Sequence, residues 1–93
     1  MTPIFKDPDA VLSYTIAWPV TVLDGAAIAS ADWTVEPDEP GGIAAAAPFI
    51  DGGETGAQFS GGVPGQVYRA RCQIALSDGR SDDGSVVIRV EER

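Results

Sequence analysis

Residues 59–90 read FSGGVPGQVYRARCQIALSDGRSDDGSVVIRV. A glycine- and proline-bearing turn, Gly61-Gly62-Val63-Pro64-Gly65, opens the stretch. Tyr68, Ala70, Cys72, Ile74 and Leu76 then alternate with Val67, Arg69, Arg71, Gln73 and Ala75. A strict period of two puts one set on a buried face and the other on a solvent face of a β-strand. The polar run 77–84 reads as a loop, and the alternation resumes at Val86, Ile88 and Val90. Two alternating runs joined by turn residues predict a closing hairpin. Tyr68 follows a Pro-Gly turn early in the penultimate strand, where Greek-key sandwiches place a tyrosine corner; an ordinary half-buried strand tyrosine is the other reading.

The same period organises the rest of the chain. Leu12, Tyr14, Ile16 and Trp18 share one face of a strand over residues 11–18, with an edge-like continuation to Leu23 past Pro19, which cannot donate to a ladder. Ala31, Trp33 and Val35 alternate within a strand over 28–35, and Trp33 resembles the aromatic that fills the middle of many sandwiches. Residues 36–42 carry two prolines and two glycines and end that strand. For the alanine-rich residues 43–50, Pro48 and the short length favour a thin strand over a helix. A short strand around Thr55, Ala57 and Phe59 leads into the opening turn. About seven short strands separated by turn chemistry predict an all-β fold, a single immunoglobulin-like antiparallel β-sandwich. Pro3 and Pro8 exclude a helix at the start, so residues 1–8 are expected to form an extended arm or edge strand, anchored by Ile4 and Phe5, ahead of a sandwich over residues 9–93.

Length and composition narrow the function. A chain of 93 residues holds one modest core. With no histidine and one cysteine, nucleophile–histidine arrangements and Cys/His metal spacing are excluded, and no glycine-rich segment leads from strand to helix to cradle a phosphate. No catalytic residue, cofactor or enzyme activity is expected. Cys72, on the apolar side of its strand, reads as a small buried hydrophobe. The net charge of −8 argues against nucleic acid as a partner, and the absence of a long apolar run argues against a signal peptide or membrane span. Asp78, Asp82 and Asp83 match no calcium-loop spacing and read as a solvated hairpin loop rather than a metal site. Trp18 reads as a core anchor, with a sugar-stacking platform as the alternative.

One surface pattern stands out from this background. The alternation puts Arg69 and Arg71 opposite Tyr68 and Cys72, and Arg89 on the corresponding side of the last strand. These arginines either pair with acids of neighbouring strands, at about 0–1 kcal/mol each, or dock an acidic partner, a role for which arginine is enriched. Arg69, Arg71, Arg89, Ile4 and Phe5 are the candidate partner-binding residues.

Three stretches together resemble the phage fibre–tail adaptor proteins, small structural proteins of tailed-bacteriophage virions. They are Lys6-Asp7-Pro8-Asp9-Ala10-Val11-Leu12 with Tyr14-Thr15-Ile16 and Trp18; Ile28-Ala29-Ser30 with Trp33-Thr34-Val35; and Ser60-Gly61-Gly62 through Gly65-Gln66-Val67-Tyr68 to Ser77-Asp78-Gly79-Arg80-Ser81-Asp82-Asp83. The resemblance departs at Ala17, where an acidic or polar residue is expected, and in the alanine-rich stretch 43–48, where Ser and Thr are expected. It implies a non-enzymatic virion protein, assembled in the host cytoplasm, that touches other virion proteins of the tail, neck or fibre in multiple symmetric copies. A capsid decoration or head–tail connection protein is the neighbouring alternative. A carbohydrate-binding immunoglobulin-like surface module, using Trp18 or Trp33, is the alternative from another class.

Overall fold

The computed structural model describes residues 4–92. Seven strands and one helical turn follow in order: β1 (Ile4–Lys6), β2 (Leu12–Ala17), α1 (Val20–Leu23), β3 (Ile28–Glu36), β4 (Ala44–Asp51), β5 (Glu54–Ser60), β6 (Val67–Leu76) and β7 (Ser81–Val90). They form a four-stranded sheet, β1-β7-β6-β3, and a three-stranded sheet, β2-β5-β4. Second, fifth and fourth strands on one side and third, sixth and seventh on the other is the connectivity of an immunoglobulin-like sandwich. Every pairing is antiparallel except that of β1, which lies parallel to the end of β7 with Ile4 opposite Ile88.

The core follows the alternation. In β6, Tyr68, Ala70, Cys72, Ile74 and Leu76 are buried and every intervening residue is exposed. One apolar cluster gathers around Phe59, Tyr68 and Ile88, and a second around Trp18, Ile28 and Ile74. Trp33 packs against both and meets Phe59 edge-to-face, with ring centroids 5.3 Å apart. Tyr68 forms the corner: its hydroxyl accepts from the Val63 N–H at 3.0 Å and donates to the Glu39 carboxylate at 2.6 Å. The alanine-rich stretch does form a strand, β4, interrupted between Ala46 and Phe49 by a shift in register. Pro48 sits in that shift, where the ladder needs no donor from it, beside Ala47 at φ 49.

Two expectations are corrected. The strand does not continue past Pro19 to Leu23: residues 20–23 form a single helical turn. Val20 and Val22 are too short an alternation to distinguish strand from helix, and the chain must leave β2 here to reach the other sheet. The turn lays Val22 and Leu23 on the Trp18 cluster, leaves Val20 exposed, and ends at Asp24 in the left-handed region at φ 46. The loop after β6 is also shorter than residues 77–84. Only residues 77–80 turn, and β7 starts at Ser81, with Asp82 opposite Ile74 and Asp83 opposite Gln73. The inward positions where apolar residues would have signalled a strand are Asp82, at the strand's exposed start, and Gly84. A Cβ at Gly84 would lie 3.2 Å from the Trp18 ring, so the indole fills the space from the other sheet's side.

Candidate docking surface

Odd-numbered residues of β6 and β7 point away from the core, and the register lines them up across the four-stranded sheet. Val67 stands opposite Arg89, which stands opposite Phe5. In the next row Arg69 lies between Val87 and Glu36, and in the next Arg71 lies between Ser85 and Thr34. The structure therefore brings Arg69, Arg71, Arg89 and Phe5 onto one outer face. It separates Ile4 from them, because alternation along β1 turns Ile4 to the core, where it packs against the Phe59 cluster. Phe5 is 46 % exposed and Val67 is 47 % exposed, an apolar pair flanking the Arg89 backbone position.

The arginines differ in their partners. Arg71 is in an ion pair with Asp83, with Nε donating to Oδ2 at 2.9 Å. Arg89 pairs with Glu91 at 2.9 Å. Both pairs are about half exposed, so water screens them and each contributes about 0–1 kcal/mol. Arg69 has no ion-pair partner among the described residues. It lines two shallow hollows. One, of about 330 Å³, is bounded by Glu36, Arg69, Arg71, Asp83, Gly84 and Ser85. The other, of about 620 Å³, is bounded by Glu36, Pro37, Val67, Tyr68, Arg69 and Val87.

The acidic turn has a structural task. Arg80 donates through Nη1 to the Val22 carbonyl at 2.9 Å and through Nη2 to the Leu23 carbonyl at 2.6 Å, satisfying the open end of α1. Asp78 holds that guanidinium, accepting from Nε at 2.7 Å and from the Arg80 backbone N–H at 3.1 Å. These hydrogen bonds keep the Asp78 carboxyl below its usual range. Asp82 accepts from the Asp83 N–H, and Asp83 holds Arg71, so the three carboxylates serve separate partners. No cluster of three or more metal-ligating residues occurs among the described residues.

The tryptophans are packed rather than displayed. Trp18 is buried, and its Nε1–H donates to Thr55 Oγ1 at 3.0 Å. Thr55 in turn lies 3.4 Å from Cys72 Sγ, a polar thread between the sheets. Burial raises the Cys72 thiol pKa, which keeps the sulfur protonated and unreactive. Trp33 is half-buried, with its indole N–H enclosed.

Sequence reasoning missed Lys6 and Glu39. Lys6 is 1 % exposed, and its ammonium donates to the Gly61 carbonyl at 2.7 Å and to the Asp7 carbonyl at 2.9 Å, fastening β1 to the turn before β6. Burial lowers its pKa against the opposing pull of Asp7 and Asp9. Its place on the Ile4 side of a period-two run was legible, but the carbonyls that receive it were not. Val67 and Val87 were also left out of the candidate set, although the alternation already put Val67 beside Arg69.

Fold and surface together define a small immunoglobulin-like β-sandwich that presents one apolar-and-arginine sheet face. No helix among the described residues is long and apolar enough to cross a membrane. The chain belongs to the family described as podophage GP4 fiber-tail adaptor protein gp77, whose model matches residues 6–89. It is accordingly a phage structural protein of the fibre–tail adaptor kind, as its resemblance implied. No curated protein matches the chain.

Proposed function

We propose that this protein joins the tail to the fibres of the virion by protein–protein contacts, and that the outer face of its four-stranded sheet is one of the surfaces it uses. It acts without catalysis or cofactor, in several symmetry-related copies built in during assembly in the host cytoplasm, and it contacts neither nucleic acid nor membrane. The observation that carries the docking part of the reading is the row Phe5–Arg89–Val67, which sets two half-exposed apolar side chains beside arginine on a protein of net charge −8. Apolar and arginine side chains together are the composition that interface cores favour. Symmetric repetition lets a face this small hold through multivalency. Of the segment expected as an arm or edge strand, Ile4–Lys6 serves as the edge strand of the four-stranded sheet, and residues 1–3 lie outside the described residues. Within that segment Ile4 acts indirectly, by seating β1 so that Phe5 faces outward.

Electron cryomicroscopy of the intact particle tests the assignment. Density for this fold is expected between the tail and the fibre roots, with the β1-β7-β6-β3 face turned to a neighbouring chain. Density on the capsid surface instead would overturn the adaptor role.

A further inference from the structure

We infer that the outer face of the four-stranded sheet receives an acidic, partly apolar segment of its neighbour, with a carboxylate on Arg69 and an adjacent apolar side chain in the hollow walled by Pro37, Val67 and Val87. This rests on the docking role proposed above and names the chemistry of the partner.

The argument starts from charge. The chain has 14 acidic and 6 basic side chains, so any exposed cation has acids to choose from. Arg71, Arg80 and Arg89 have each taken one. Arg69 has none among the described residues, although Glu36 stands directly opposite it in the β3–β6 register. An arginine left without a carboxylate in so acidic a chain is complementary to a carboxylate brought by another chain, and its planar fork suits that group. The second part is position. Arg69 lines both hollows, so a carboxylate seated on it lies at their common wall. On one side the surroundings are polar, from Glu36, Asp83 and Ser85. On the other, Glu36 recurs at the shared wall, and Pro37, Val67 and Val87 supply apolar surface that can cover an apolar side chain. A lysine-rich segment is the wrong partner here, because it would leave Arg69 facing like charge.

The two charges of the row give opposite expectations. Glu36 competes with an incoming carboxylate by repulsion, so its neutralisation strengthens docking, whereas reversal of Arg69 abolishes it. A phage deleted for this gene is complemented from a plasmid with wild type, Arg69→Glu, Arg69→Gln, Arg71→Glu or Glu36→Gln. Copies of the chain per purified particle are counted by quantitative mass spectrometry with expression kept limiting. Thermal melting of each purified variant checks that it folds. Arg69→Glu is expected to lower incorporation at least about tenfold and Arg69→Gln by less. Arg71→Glu, which breaks a pair already made within the chain, changes it no more than about threefold, and Glu36→Gln raises it. Normal incorporation of folded Arg69→Glu, or a loss with Glu36→Gln, overturns the inference. So does a result in which Arg69→Glu abolishes self-association of the purified chain in sedimentation while incorporation is unchanged, since the occupant is then a second copy. Each of these outcomes leaves the adaptor role standing if the chain is still seen between tail and fibres. A wild-type chain absent from that junction removes the role itself.

Discussion

Replacement of Tyr68 by Phe removes one oxygen and two hydrogen bonds from the corner that joins the two sheets. The ring stays, so the apolar burial of this fully enclosed residue is almost unchanged. What is lost is the 2.6 Å donation to the Glu39 carboxylate and the 3.0 Å acceptance from the Val63 N–H. A hydrogen bond to a charged group contributes about 1.5–3 kcal/mol and a neutral one about 0.5–1.5 kcal/mol. Val63 is 39 % exposed, so water can rescue part of the second. The expected cost is therefore about 2–3 kcal/mol. In a domain of this size each kcal/mol moves the midpoint by roughly 4–8 °C, giving a drop of roughly 8–24 °C. Urea and thermal unfolding followed by tryptophan fluorescence measure it. A cycle with Glu39→Gln isolates the pair, with a coupling of about 1–2 kcal/mol expected between residues in direct contact. The titration offers an independent check. Burial, reinforced by the hydrogen bond to Glu39, raises the Tyr68 pKa above its ordinary 10.0. Above that value the unfolded chain loses the phenolic proton first, so it binds fewer protons than the folded chain and stability falls with pH. The contribution is present in full below the unfolded pKa and is lost as pH rises from there through the folded one. Tyr68→Phe should flatten that alkaline decline. A variant within 0.5 kcal/mol of wild type, on an estimate of about 2–3, with an unchanged alkaline slope, would refute the corner as a stabilising joint.

Three further outcomes follow from the same packing. Gly62 and Gly65 both have positive φ, at 110 and 86, but a Cβ at Gly62 would lie 2.6 Å from Val90 Cγ2 while one at Gly65 meets nothing within 4 Å. Gly65→Ala should thus cost only the backbone term, about 1–2 kcal/mol, and Gly62→Ala at least about 1–3 kcal/mol more, both read by urea denaturation. Thr55→Val keeps the shape but strips Trp18 Nε1–H of its acceptor inside the core, so a loss of about 1–3 kcal/mol is expected, with a shift in tryptophan emission. Cys72 should resist an aromatic disulfide reagent in the folded protein and react fully in denaturant, because burial both shields the sulfur and raises its pKa.

How far the fold was legible depends on what fills each inward position. Alternation found β6 in full because every inward residue from Tyr68 to Leu76 is apolar or small. It missed the first half of β7 because the inward positions there hold Asp82 and Gly84, and the atoms that occupy the space over Gly84 belong to Trp18. A strand whose core contact is supplied by a distant side chain carries no local signature, whatever rule is applied to the sequence. The same limit governs the surface. Alternation put Arg69, Arg71 and Arg89 on one face, since facing is a local property, whereas the sequence reading groups Ile4 and Phe5 together and only the structure turns Ile4 to the core. Whether Arg71 is already paired is not local in the same sense: it depends on where β7 begins, and moving Asp83 from a loop into the strand is what brings it to Arg71. Lys6 and Gly61, 55 residues apart, Tyr68 and Glu39, 29 apart, and Arg80 and Val22, 58 apart, share that dependence. Pairing is thus what separates Arg69 from the other two arginines, Arg71 through a partner on the next strand and Arg89 through Glu91 two residues on. Docking strength should accordingly depend on Arg69 far more than on Arg71, although the two are alike in local sequence, exposure and strand.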